Sequence, residues 1–123
     1  MMKKLQKINV HKKFTYIQSP WKPVILGELN NQYVKIVKVK GKFPWHFHEI
    51  EDELFFVIEG EIMIETKENK FHLKKDEFII IPKGVEHRPT AEKEAYVMLF
   101  EPITTLNTGN VFNGFTHSNL KPI

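Results

Sequence analysis

Apolar residues in this chain recur with a period of two. From Tyr33 to Lys40 the residues alternate with β-branched side chains prominent, which suits a strand with one buried face. Phe43–His48 follows Gly41, and Glu53–Ile58 is apolar on both faces and stops at Gly60. Ile62–Thr66 leads through Lys67-Glu68-Asn69-Lys70 into Phe71–Lys74, the outline of a hairpin. Phe78–Ile81 runs into a turn signal at Pro82–Glu86, and Ala95–Glu101 alternates again. Turn residues recur about every eight to twelve positions, and no segment holds a helical period beyond a turn or two. The pattern predicts an all-β domain built as a sandwich or barrel.

The gaps between strands carry their own expectations. Residues 18–32 hold Pro20, Pro23, Gly27 and the pair Asn30-Asn31, so they read as irregular chain. Trp21 reads as an anchor for that loop rather than a lid, because large aromatics mostly pack. The tail Thr104–Thr116 is rich in Thr, Asn and Gly and reads as a loop wrapped along the domain, with Phe112 and Phe115 as docking residues.

The 123 residues suffice for one domain with a real core, here taken as 1–123. The chain has no cysteine, which fits a reducing compartment. Met1–Lys13 lacks the apolar run of a signal peptide, and no stretch reaches membrane-spanning length, so the expectation is a cytoplasmic protein without a membrane partner. The formal charge of +3 is uneven, since five lysines lie in the first thirteen residues. Without them 13 basic residues face 15 acidic ones, a net of −2. The basic character thus belongs to an N-terminal arm, 1–13, which reads as solvated. The body has no basic stripe interleaved with exposed aromatics, so no nucleic-acid partner is expected.

The candidate chemistry lies in the histidines. On a strand His46 and His48 project to one face. The acidic stretch 49–52 has little strand propensity, and as a loop it resets the parity so that Glu53 can face the same side. His87 arrives after the Pro82-Lys83-Gly84 turn. Three imidazoles and a carboxylate suit a divalent ion of zinc, iron, manganese or nickel, and a set that leaves positions open on the ion is a catalytic rather than a sealed arrangement. His11, His72 and His117 have no partner motif and read as solvent-exposed. Parity also suggests a cavity wall of Pro44, Phe55, Val57 and Tyr96, with Tyr96, Arg88 and Lys35 as candidate polar handles whose plainer reading is surface or structural hydrogen bonding. Trp45, Phe47, Phe56 and Ile58 then point outward and need cover from another sheet or a second subunit.

At these residues the chain resembles a small single-domain cupin. The first cupin motif, roughly G-x5-H-x-H-x3,4-E-x6-G, is matched from Gly41 to Gly60 with one residue fewer before His46. The second, roughly G-x5-P-x-G-x2-H-x3-N, is matched by Pro82, Gly84 and His87, with Asp76 and Ala91 in place of its terminal glycine and asparagine. The motifs span 41–91. The resemblance implies an antiparallel jelly-roll β-barrel, one metal ion per chain held by His46, His48, Glu53 and His87, and a homodimer formed by sheet contact. It implies a metalloenzyme acting on a small molecule by dioxygenase, isomerase or lyase chemistry. The alternative is a non-catalytic small-molecule or metal-binding sensor. The motif does not choose the substrate, and no second titratable cluster names a general base.

Overall fold

The computed structural model describes residues 4–123. Seven strands follow one short helix: α1 (Val10–Phe14), β1 (Val24–Leu29), β2 (Gln32–Lys42), β3 (Glu53–Glu59), β4 (Ile62–Thr66), β5 (Lys70–Leu73), β6 (Phe78–Ile81) and β7 (His87–Pro102). All pairings between strands are antiparallel. Hydrogen bonds run in the order β1-β2-β7-β3-β6, and the β4–β5 hairpin branches from β7. The architecture is a jelly roll, but among the described residues the bonded path does not close on itself as a barrel would. β1 and β6 stand at its two ends.

The 16-residue β7 is the spine. It pairs with β4 over His87–Thr90, with β3 over Tyr96–Phe100, and with β2 at Thr90 and Ala91 and again from Ala95 to Pro102. Its odd-numbered residues from His87 to Ala91 and from Ala95 to Glu101 are buried and face inward. The inner core collects Val37, Val39, Phe55, Val57, Ile62, Ile64, Leu73, Ile81, Val97 and Leu99.

Two segments differ from the sequence expectation. Residues 18–32 are not wholly irregular, because Asn30 and Asn31 take φ of 48° and 64° and turn β1 directly into β2. Asn tolerates left-handed backbone better than other non-glycine residues, and two such residues in a row make the tight hairpin turn whose twist matches the strands. Phe43–His48 is not a regular strand, since Pro44 has no N–H to give to a ladder. It keeps one bridge, His46 with His87.

The lysine-rich arm becomes helical at Val10, with Asn9 Oδ1 accepting from Lys12 N at 3.0 Å as its N-cap. Its apolar side covers part of the outer sheet face. Phe14 is buried and stacks on Tyr96 with ring centroids 4.4 Å apart. Around Phe14, Ile17, Leu26 and Ile36 pack Ile8, Val10, Ile58 and Met98. Part of the cover expected from another layer, over Ile58, is therefore supplied by the chain itself. No helix among the described residues is long and apolar enough to cross a membrane. Phe14→Ala is expected to lower stability by about 3 kcal/mol in denaturant unfolding while the circular dichroism spectrum stays strand-dominated; a loss within about 0.5 kcal/mol, typical of surface sites, would contradict the docking of α1.

Candidate metal centre

Two backbone hydrogen bonds bring the two histidine segments together. His46 N donates to His87 O at 3.1 Å and His87 N donates to His46 O at 2.8 Å. Alongside them Gly84 N donates to His48 O at 2.8 Å, and Lys83 N donates to Asp52 Oδ1 at 2.9 Å. The Pro82–Gly84 turn is thus bonded to the His48–Asp52 loop at both ends, which sets Glu53 at the start of β3 beside the histidines.

The structure brings His46, His48, Glu53 and His87 into one buried cluster whose ligand atoms all lie within 4.8 Å of one another. His48 Nε2 is 3.3 Å and His87 Nε2 3.4 Å from Glu53 Oε1. Ring orientation follows from the other nitrogens: His46 Nδ1 lies 2.9 Å from Pro44 O, and His87 Nδ1 2.9 Å from Val85 O. A carbonyl can only accept, so each Nδ1 carries its proton and each Nε2 offers a lone pair. His48 Nε2, His87 Nε2 and Glu53 Oε1 are buried without any hydrogen-bond partner. Unpartnered buried polar atoms are costly, and three converging in one place fit a site for a cation.

Electrostatics prepare the same set. Burial, and next the neighbouring His87, lower the pKa of His46 from 6.5 to about 4, so its ring is neutral at neutral pH. Burial would lower His48 too, but the Glu53 carboxylate outweighs it and raises the pKa above 6.5. Burial opposes charge on Glu53, yet Glu101, His48 and His87 hold it well below the usual carboxylate range. Glu101 is pushed well above that range by burial and then by the charge on Glu53. Of the two carboxyls, Glu53 ionises first.

A cavity of about 30 Å3 adjoins the cluster, lined by His46 and Glu53, by Phe43, Phe55 and Leu99, and by Trp21, Asn107 and Glu101. Of the residues expected to line it, Phe55 does. Pro44 contributes its carbonyl to His46 instead, and Val57 lies within the inner core. Tyr96 points to the outer face against Phe14, because it has the opposite parity on β7 to His87. Trp21 both anchors and lines: its Nε1 donates to Lys40 O at 2.7 Å while its ring packs on Phe43. Arg88 is outside, bonded to Glu65 at 2.7 Å and lying over Trp45. Lys35 is not at the surface. It is 1% exposed and pairs at 2.7 Å with Glu101, also 1% exposed. Exposed His11 and His72 pair with Glu59 and Glu61, and half-buried His117 stands apart from the cluster.

Sequence reasoning missed Glu101 and Asn107; for Lys35 the structural hydrogen bond is found, to Glu101, and the surface position is not. One signal was present. Lys35 interrupts the inward row of Val37 and Val39, and Glu101 ends the inward row of Ala95, Val97 and Leu99. Opposite charges in the inward rows of adjacent apolar strands indicate a buried pair.

Residues 33–102 match the family described as Cupin domain, more than half of the chain, and the chain belongs to that family. A solved cupin-2 domain protein from Shewanella frigidimarina is 41% identical with a TM-score of 0.76, covering 77% of this chain and 93% of that one. The uncharacterized protein YdbB of Bacillus subtilis is 39% identical over 64 residues, 51% of this chain and 57% of its own. Acireductone dioxygenase of Tuber melanosporum is 32% identical over 80 residues, 61% of this chain and 43% of its own. The chain therefore spans about half the length of these two curated relatives.

The two lead histidines should titrate apart in metal-free protein. His46 has a folded pKa of about 4, below its unfolded 6.5, so its contribution of about 3 kcal/mol is present above pH 6.5 and is lost as pH falls toward 4. His48 has the opposite sign: its contribution is present below about 6.5 and is lost as pH rises through its raised folded pKa. Imidazole NMR should show His46 neutral at a pH where His48 is still protonated. Coincident titration of both near 6.5 would contradict this electrostatic arrangement.

Proposed function

We propose that this cupin binds one divalent metal ion through His46, His48, Glu53 and His87 and acts with it on a small molecule, with dioxygenase chemistry as the leading class. The observation that carries the reading is the convergence of His48 Nε2, His87 Nε2 and Glu53 Oε1, buried and unpartnered. The donor set of neutral imidazoles and one carboxylate suits zinc, iron, manganese or nickel. When bound, such an ion supplies Lewis-acid or redox chemistry. The dioxygenase choice is supported by the relative of that name, at 32% identity over part of its length.

The chain's own residues supply the rest. Trp21, Phe43, Phe55 and Leu99 give the cavity apolar walls that restrict water. Glu101 Oε2 is buried without a partner in the same cavity, so it is the group outside the ligand set that can hold a proton for a bound molecule. Lys35 fixes the other oxygen, leaving Oε2 free to turn inward. A second reading, a binding module without turnover, is favoured by one fact. The cavity of about 30 Å3 has room for about two waters, so a larger substrate needs Trp21 to shift.

The reading includes a homodimer. Beyond α1, the outer face carries Ile80, Leu54, Phe100 and Val34 in one cross-strand row, and Phe78 and Ile80 at its open edge are 57% and 55% exposed. The unpaired edge of β6 can pair with β6 of a second copy across a two-fold axis. Ile80→Glu is expected to give monomers by sedimentation; a wild-type monomer at high concentration would exclude the dimer.

Protein purified without added metal should contain one ion per chain by elemental analysis, and His87→Ala should lose it while His72→Ala keeps it. Equal retention in both variants would remove the assignment. Affinity should fall as pH drops, because His48 must be free of its proton to ligate. Oxygen uptake with small keto acids and catechols, with iron, manganese, zinc and nickel in turn, tests turnover. Ligand-induced stabilisation without product under all four metals favours the binding module.

A further inference from the structure

The C-terminal tail lies directly on the backbone between the two leading histidines. Phe47 N donates to Asn110 Oδ1 at 2.9 Å, and Asn110 N donates to Phe47 O at 3.1 Å. Asn110 thus takes both backbone groups of the residue that separates His46 from His48. The contact is close enough to dictate its neighbour. A Cβ on Gly109 would overlap the Phe47 carbonyl oxygen and come within 3.2 Å of His46 Cδ2, and Gly109 has a φ of 56°. Only glycine meets both demands without strain.

The tail is fastened independently of that grip. Thr108 is fully buried, with its Oγ1 2.7 Å from Thr116 Oγ1. Asn107 holds the loop across its neck, donating to Phe115 O at 2.7 Å and accepting from His117 N at 2.9 Å. Thr104 Oγ1 donates to Glu51 Oε2 at 2.8 Å in the acidic loop before Glu53. Phe115 meets Phe43 edge-on, and Phe43 in turn meets His46. The segment that receives the grip needs it. Residues 43–48 form no regular strand, and the groups of His46 and His48 are bonded toward β7 and the Gly84 turn, which leaves those of Phe47 facing the other way.

We propose that Gly109 and Asn110 are positioning residues for the metal centre: by clasping Phe47 they fix the directions in which His46 and His48 point. Rotation of the peptide groups on either side of Phe47 would swing the two imidazoles independently, and the clasp removes that freedom. The inference rests on the metal reading above, and it assigns the tail a part in the site although the tail contributes no ligand.

The test is calorimetric titration of the full chain with Zn2+ and with Mn2+, paired with amide hydrogen exchange on metal-free protein. Asn110→Ala should weaken metal binding about 10- to 100-fold, as loss of groups that orient ligands does. Gly109→Ala should act in the same direction. Asn110→Asp keeps the Oδ1 acceptor and should restore most of the affinity. Asn113→Ala alters a tail turn away from Phe47 and should leave affinity unchanged. Exchange in Asn110→Ala should accelerate at Phe47 while Val57 and Val97 stay protected. Wild-type affinity and unchanged exchange in Asn110→Ala would overturn the clasp. Equal loss of protection at Val57 and Val97 would also overturn it, since the role would then be general stability. Absence of metal binding by the wild type would sink the metal reading alone, and exchange at Phe47 would still decide whether the clasp exists.

Discussion

The pair of backbone hydrogen bonds exchanged by His46 and His87 is the constraint on which the site depends. The first motif leaves β2 at Lys42, loses regular pairing at Pro44, and rejoins the sheet only at β3. Without the bridge, the His46–His48 segment would be held by the Gly84 turn and the Asn110 contacts but not set against β7. With it, side chains far apart in sequence start from opposed backbone positions and their rings meet, at a centroid distance of 4.4 Å. The register of β7 then carries the same geometry outward, because every inward residue on that strand is set by parity from His87.

An interior that contains three carboxyls, a lysine and three histidines is expensive to bury. The arrangement limits the cost by pairing. Lys35 answers Glu101 at 2.7 Å. Most of what remains unanswered lies at one point, the ligand cluster and Glu101 Oε2 beside it, with Arg88 Nε and Thr105 Oγ1 unpartnered elsewhere. Structural polar networks tend toward complete satisfaction, whereas a site waiting for a ligand does not. That contrast separates this cluster from the surface pairs of His11 and His72.

The same division of labour extends to the ends of the chain. The family match covers 33–102, yet segments outside it complete the domain. α1 covers one part of the outer sheet, Trp21 walls the cavity from one side, and Asn107 walls it from the other. The strands within the match form the frame, and segments outside it supply part of the cavity lining.

The sequence by itself determined the fold class, the strands β3, β4 and β6 nearly to the residue, and the four candidate ligands. Local physics carries each of these: alternation reports a buried face, Gly and Pro mark turns, and a His-x-His spacing places two rings on one side of an extended chain. The pair Asn30-Asn31 was also a legible hairpin signal, left unread because the prolines and glycine around it argued for irregular chain. Tertiary structure alone decided the rest. Which parity of β7 faces inward is set by its pairing with β2 and β3; the odd residues are buried on both sides of the irregularity between Ala91 and Ala95, so Tyr96 faces outward. Lys35 and Glu101 are charged residues that solvent would ordinarily claim, and only the pairing of β2 with β7 places each within reach of the other. Gly109 and Asn110 read as two residues of a polar tail until the chain folds back, because their role is a contact with a backbone group more than sixty positions away, as Asn110 and Phe47 show.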